Sequence, residues 1–138
     1  MTQQDNLLAA NPETTFIMAH VASYSENLGA VSAKLDRFPN LYVDIAARIS
    51  ELGRQPYSSK AFFNKYQDKI LFGTDFSAGN YEWPIYFRFL ETMDEYFDYY
   101  STQIPNQGRW QIYGIGLEDD VLKKVYHENA EKIIQFGC

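Results

Sequence analysis

Three side chains in this sequence have the types and places to do chemistry together. His20 closes the apolar run TTFIMAH, Asp75 closes DKILFGTD, and Asp44 lies inside LYVDIA between them. An imidazole can bind a metal or take a proton near neutral pH. A carboxylate at the end of an apolar strand is costly unless it is paired, hydrogen-bonded or bound to a metal. A histidine and an aspartate at one end of parallel strands could hold one cation or activate one water. Each residue also has a structural reading. His20 could be satisfied by a backbone carbonyl. Asp75 could cap the next turn, helped by Gly73 and the loop at Gly79. Asp44 could cap a loop or hold Arg48. Two donors are too few for a catalytic zinc, which takes three protein ligands and a water. The other histidine, His127 in KKVYHENA, reads as a surface residue, and the chain has no H-x-H or H-E-x-x-H motif.

The elements that would position these residues alternate. Residues 2–10 predict a helix stopped by Asn11-Pro12. TTFIMAH (14–20) predicts a buried strand. A helix over 26–37 carries Leu28, Val31 and Leu35 at helical spacing and breaks at Pro39-Asn40. LYVDIA (41–46) predicts the second strand, 58–67 a helix with Ser58 or Ser59 as N-cap, and KILFGTD (69–75) the third strand. The aromatic segment 82–100 predicts one long helix from the spacing of Trp83, Tyr86, Leu90, Met93 and Phe97, with Pro84 in its first turn. Residues 105–116 read as an irregular, glycine-rich loop. A last helical region begins near Leu117, with Asp119 and Asp120 at its positive end. Strand starts near 15, 41 and 69 are 26 and 28 residues apart, close to a strand–helix–strand unit of about 30 residues. That pattern implies an α/β fold with a parallel sheet, whose function gathers at the carboxyl ends of its strands. His20 and Asp75 sit at such ends.

Bulk properties narrow the class. The chain has 138 residues, fitting one domain over 1–138, and 46% hydrophobic content, enough for a core. Twelve basic residues against eighteen acidic ones, with no basic stripe, exclude a nucleic-acid binder. No run approaches the roughly 20 apolar residues of a membrane helix, and the first residues lack a signal peptide's basic and apolar regions. A lone cysteine, Cys138, rules out an internal disulfide and points to a reducing, cytoplasmic setting.

The series TTFIMAHVA, FPNLYVDIAAR, DKILFGTDF and VYHENAEKII resembles the amidohydrolase-related, metal-dependent hydrolases, the branch that includes aminocarboxymuconate-semialdehyde decarboxylase. FGTD with the downstream NA helix is its most specific part. The resemblance covers nearly the whole chain. It implies the C-terminal half of a TIM barrel, about three β/α units holding strands six to eight. It also implies a divalent metal, zinc by preference, and a small-molecule substrate. Asp75 would take the role of the strand-eight aspartate, which binds the metal and handles the proton of its water. His20 would take that of the strand-six histidine, which contacts the second metal or the hydrolytic water. Gly73 would let the strand end pack closely and Thr74 would orient the carboxylate.

The strand-one H-x-H and the strand-five histidine ligand have no counterpart here, and a full barrel needs about 250 residues. The expectation is therefore the C-terminal part of a hydrolase whose missing N-terminal half supplies the other ligands. The isolated chain would be inactive. Its uncovered sheet face, carrying Ile17 or Met18, Val43 and Leu71, would favour self-association. A decarboxylase of the same family, or a non-catalytic α/β binding or assembly module, are the alternatives. Arg48, Arg54 and Trp110 could line a pocket or pack on the surface.

Overall fold

Short apolar runs separated by amphipathic helices leave the strands only one way to pair, side by side and parallel. The structure, a computed structural model, describes residues 2–76, 82–102, 105 and 107–134; Gly79 and Cys138 lie outside the described residues. Helix α1 (Thr2–Ala10) is followed by β1 (Phe16–Met18), a single turn α2 (Ala19–Ser23), α3 (Leu28–Arg37) and β2 (Leu41–Asp44). Then come α4 (Ile49–Leu52), α5 (Pro56–Lys65), β3 (Ile70–Leu71) and α6 (Trp83–Glu91). The described chain closes with α7 (Asp119–Lys123), a π-helical turn (Lys124–Glu128) and α8 (Asn129–Ile133). The strands form one parallel sheet in the order β1-β2-β3.

Register decides which side chains share a face. Met18 pairs with Val43 and Val43 with Ile70, while Ile17 pairs with Tyr42 and Asp44 with Leu71. Successive strand residues point to opposite faces, so Val43 shares its face with Met18 and Ile70. Val43 and Leu41 are fully buried in the core with Val31, Leu35, Phe62 and Phe63 of α3 and α5. The expectation that Val43 shares an open face with Leu71 is therefore corrected. The opposite face carries Ile17, Tyr42, Asp44 and Leu71, of which Ile17 is 43% exposed.

Two helix boundaries also differ from the sequence pattern. α5 begins at Pro56 with Gln55 as its N-cap, not at Ser58 or Ser59; the Ser59 hydroxyl instead donates to Leu52 O at 2.7 Å. The helix expected to reach residue 100 stops at Glu91. The reason is competition for its last carbonyls. Ile115 N and Leu117 N donate to Phe89 O and Leu90 O, both at 2.8 Å, where the amides of residues 93 and 94 would bond in a longer helix, and Asp94 N turns instead to Thr92 Oγ1 at 3.1 Å. This close approach needs a glycine, since a Cβ on Gly114 would lie 2.2 Å from Thr92 O. Beyond the stop, Phe97 forms an antiparallel bridge with Ile112.

The terminal helix is pinned to β3. In its π turn the Asn129 amide reaches Lys124 O, five residues back. That frees Val125 O, which accepts the Phe72 amide at 2.9 Å. Asn129 is fully buried, and its Nδ2 donates to Gln67 O at 2.7 Å and Ile70 O at 2.8 Å. The pairing of FGTD with a downstream N-A thus has a physical basis: the asparagine ties the last helix to the strand that carries Asp75.

Candidate functional site

At the end of β1 the backbone enters a left-handed turn. His20, Val21, Ala22 and Ser23 have φ of 60°, 53°, 56° and 57°. Such backbone costs an L-residue roughly 1–2 kcal/mol, and a β-branched valine is a pronounced outlier there. Contacts hold the turn in place. Val21 and Ala22 are buried, the Tyr24 amide closes onto Val21 O at 3.1 Å, and Gln55 Nε2 donates to Ser25 O at 2.7 Å. Single residues with positive φ also occur three positions past β2, at Ala47 (φ 52°), and four past β3, at Asp75 (φ 62°), as well as at Tyr96 (φ 55°). Strained backbone of this kind clusters at functional sites.

The turn sets the half-buried His20 ring against β2. His20 Nδ1 lies 2.8 Å from Ala46 O. A carbonyl can only accept, so Nδ1 carries the hydrogen, and in the neutral ring Nε2 is the nitrogen with the lone pair. The structural reading of His20 therefore accounts for one ring nitrogen and leaves the other available. The His20 amide donates to Asp44 Oδ1 at 2.8 Å, and the Ala46 amide donates to the same oxygen at 3.1 Å. Asp44 does not hold Arg48, whose Nη1 donates to Ala47 O at 2.8 Å.

Asp75 follows β3 and is exposed. It lines a cavity of about 210 Å³ together with Ser50, Phe76, Tyr86, Tyr99 and Tyr100. Thr74 does not orient it: Thr74 Oγ1 accepts from the Phe76 amide at 3.4 Å. Nor does space require glycine at 73, where a Cβ would meet Ala46 Cβ at 3.4 Å in ordinary contact.

β2 stands between the strands that carry His20 and Asp75, and its following loop is the link. The Ala47 amide faces Thr74 O at 3.3 Å and the Tyr86 hydroxyl at 3.0 Å, and that hydroxyl donates to Thr74 O at 3.2 Å. Tyr86 is almost wholly buried. Burial, reinforced by the Asp75 and Asp44 carboxylates, pushes its phenol up to about 12. Sequence spacing puts Tyr86 on the apolar side of a helix; its polar tip, set among the strand ends, is the one sign of a second task.

The remaining candidates lie apart from these contacts. Trp110 Nε1 donates to Ser50 O at 3.0 Å, with the Arg54 guanidinium 4.6 Å above its ring and Tyr99 stacked on it at 5.9 Å. Trp110 therefore builds the wall behind Ser50 and Tyr99. His127 is exposed and meets Glu131 at 3.2 Å on the terminal helix. Among the described residues no three His, Cys, Asp or Glu side chains come together to hold a metal ion. A catalytic zinc needs three such ligands, so the described residues do not by themselves fit a metal centre. No helix among the described residues is long and apolar enough to cross a membrane.

No curated protein and no solved structure matches the chain. The family model described as Amidohydrolase matches residues 1–136, nearly the whole chain, and the protein belongs to that family.

Proposed function

We propose that this chain is the strand-six-to-eight part of a TIM-barrel hydrolase that delivers water to a carbonyl-type carbon of a small molecule. His20 and Asp75 are its acting groups. The observation that carries the reading is the His20 ring. With Nδ1 bound to Ala46 O at 2.8 Å, Nε2 is the nitrogen free to take the proton of a water. Asp75, on the cavity it shares with Ser50 and Tyr86, would accept a second proton or pass one to the leaving group. A general base of this kind contributes about 10²–10⁴-fold to rate. The cavity beside Asp75 is lined in part by the rings of Phe76, Tyr86, Tyr99 and Tyr100 and would hold the apolar body of the substrate.

The family's dependence on a divalent metal, zinc by preference, would draw here on Asp75 alone or, where His20 Nε2 bound the metal in place of taking a proton, on two donors. The remaining ligands would come from outside the described residues, in the N-terminal half of the barrel.

The test is product analysis on the protein that carries this chain. Amide and ester substrates are expected to yield an acid and an amine or alcohol, with the rate falling at least a hundredfold in His20→Asn. Release of carbon dioxide without acid formation would place the protein on the decarboxylase side of the family. An undiminished rate in His20→Asn would overturn the assignment of His20.

A further inference from the structure

We infer that Asp44 is a positioning residue: a single carboxylate oxygen fixes both the backbone turn that carries His20 and, through Ala46, the ring nitrogen that stays free. The inference rests on the reading of His20 as the acting base and goes beyond it by naming what sets that base. Asp44 Oδ1 accepts the His20 amide at 2.8 Å and the Ala46 amide at 3.1 Å. The first bond anchors the start of the left-handed turn, where the backbone conformation is sterically costly for an L-residue. The second holds the residue after Ile45 so that its carbonyl faces the His20 ring, 2.8 Å from Nδ1. Hydrogen bonds to an ionised carboxylate are roughly twice as strong as neutral ones, which suits a group that must hold several strained residues. The three bonds form a closed loop: carboxylate to His20 backbone, carboxylate to Ala46 backbone, Ala46 carbonyl to His20 ring. A ring partner on a backbone carbonyl is a recurrent way to choose a tautomer; here the carbonyl is itself held by the carboxylate that holds the histidine.

The test reads the His20 ring by nitrogen-15 NMR, with the ring neutral and His127 as an internal control. The parent chain should show hydrogen on Nδ1 of His20. Asp44→Asn keeps an acceptor oxygen in the same place and should keep that signature. Asp44→Leu keeps similar volume without an acceptor and should lose it, while the His127 signals stay put. A role confined to stability would lower the melting temperature of Asp44→Leu without changing the tautomer. A native Asp44→Leu protein that retains the Nδ1 hydrogen would therefore overturn the inference. If Asp44→Leu does not fold, the parent decides. Couplings across the hydrogen bonds from the His20 and Ala46 amide nitrogens to the Asp44 carboxylate carbon should both be present, and absence of either overturns it. Loss of Asp44's role in this way leaves the activity test of His20 standing.

Discussion

Tyr86 accepts a hydrogen bond from the amide of Ala47 at 3.0 Å while donating its own hydrogen to Thr74 O at 3.2 Å. One phenol on α6 thereby joins the loop after β2 to the loop that carries Asp75. Replacing it with phenylalanine keeps the ring and removes both bonds. The Ala47 amide retains Thr74 O at 3.3 Å, so the expected loss is about 1 kcal/mol, read as a melting temperature lower by roughly 3–6 °C.

The same phenol makes a pH prediction. Its folded-state value is pushed up to about 12 from an ordinary 10.0. A raised value means the neutral phenol is favoured in the folded state. Its contribution is fully present below pH 10 and is lost as pH rises toward 12. The parent's advantage over Tyr86→Phe in urea midpoint should therefore be constant below pH 10, shrink above it and then reverse, because a phenol raised from 10.0 to about 12 outweighs about 1 kcal/mol of hydrogen bonding. A parent advantage that stays constant or grows above pH 10 would contradict the burial and carboxylate contacts assigned to Tyr86.

Asn129 is predicted to be among the most sensitive positions outside the strand ends. Asn129→Ala strips the part-buried carbonyl of Gln67 and the buried carbonyl of Ile70 of their partner. The expected cost is about 2–6 kcal/mol, from an unsatisfied-group penalty of roughly 1–3 kcal/mol each. Chemical denaturation measures it, and a change under about 0.5 kcal/mol, the usual range of an unremarkable surface substitution, would contradict the tie between terminal helix and β3.

Ser23 ends the left-handed turn, is exposed, and has φ 57°. Glycine adopts that region freely but loses more entropy on folding. The left-handed penalty of roughly 1–2 kcal/mol exceeds that loss, so Ser23→Gly should stabilise the fold by up to about 1 kcal/mol. A lower melting temperature for this variant would show that the turn is not strained there.

Much of this architecture is legible in the amino-acid sequence. α1, α3 and the order of three parallel strands follow from helical periodicity, short β-branched runs and Pro or Asn breaks. The strands are shorter than the apolar runs that announce them: β1 ends at Met18, with His20 in the turn that follows, and β3 ends at Leu71, four residues before Asp75. The left-handed turn is not legible, because AHVAS contains none of the glycine, asparagine or aspartate that ordinarily announces such backbone. Nor is the early end of α6. Phe97 keeps helical phase with Trp83 and Leu90, but the carbonyls needed to continue are taken by residues 115 and 117, more than 20 positions away. For Asp44 the sequence suggests a loop cap or a partner of Arg48, since it cannot show that the carboxylate oxygen reaches across to His20 at the end of the neighbouring strand.

The central claim is that His20 and Asp75 work as one unit at the strand ends. It is tested most directly by a double-mutant cycle on kcat/KM, with His20→Asn, Asp75→Asn and their combination in the protein that carries this chain. Each single change should cost about 10²–10⁴-fold with circular dichroism unchanged. The double variant should be no slower than the worse single, because residues acting as a unit are not additive. Activity within about tenfold of the parent in either single variant, or losses that multiply in the double, would contradict the account.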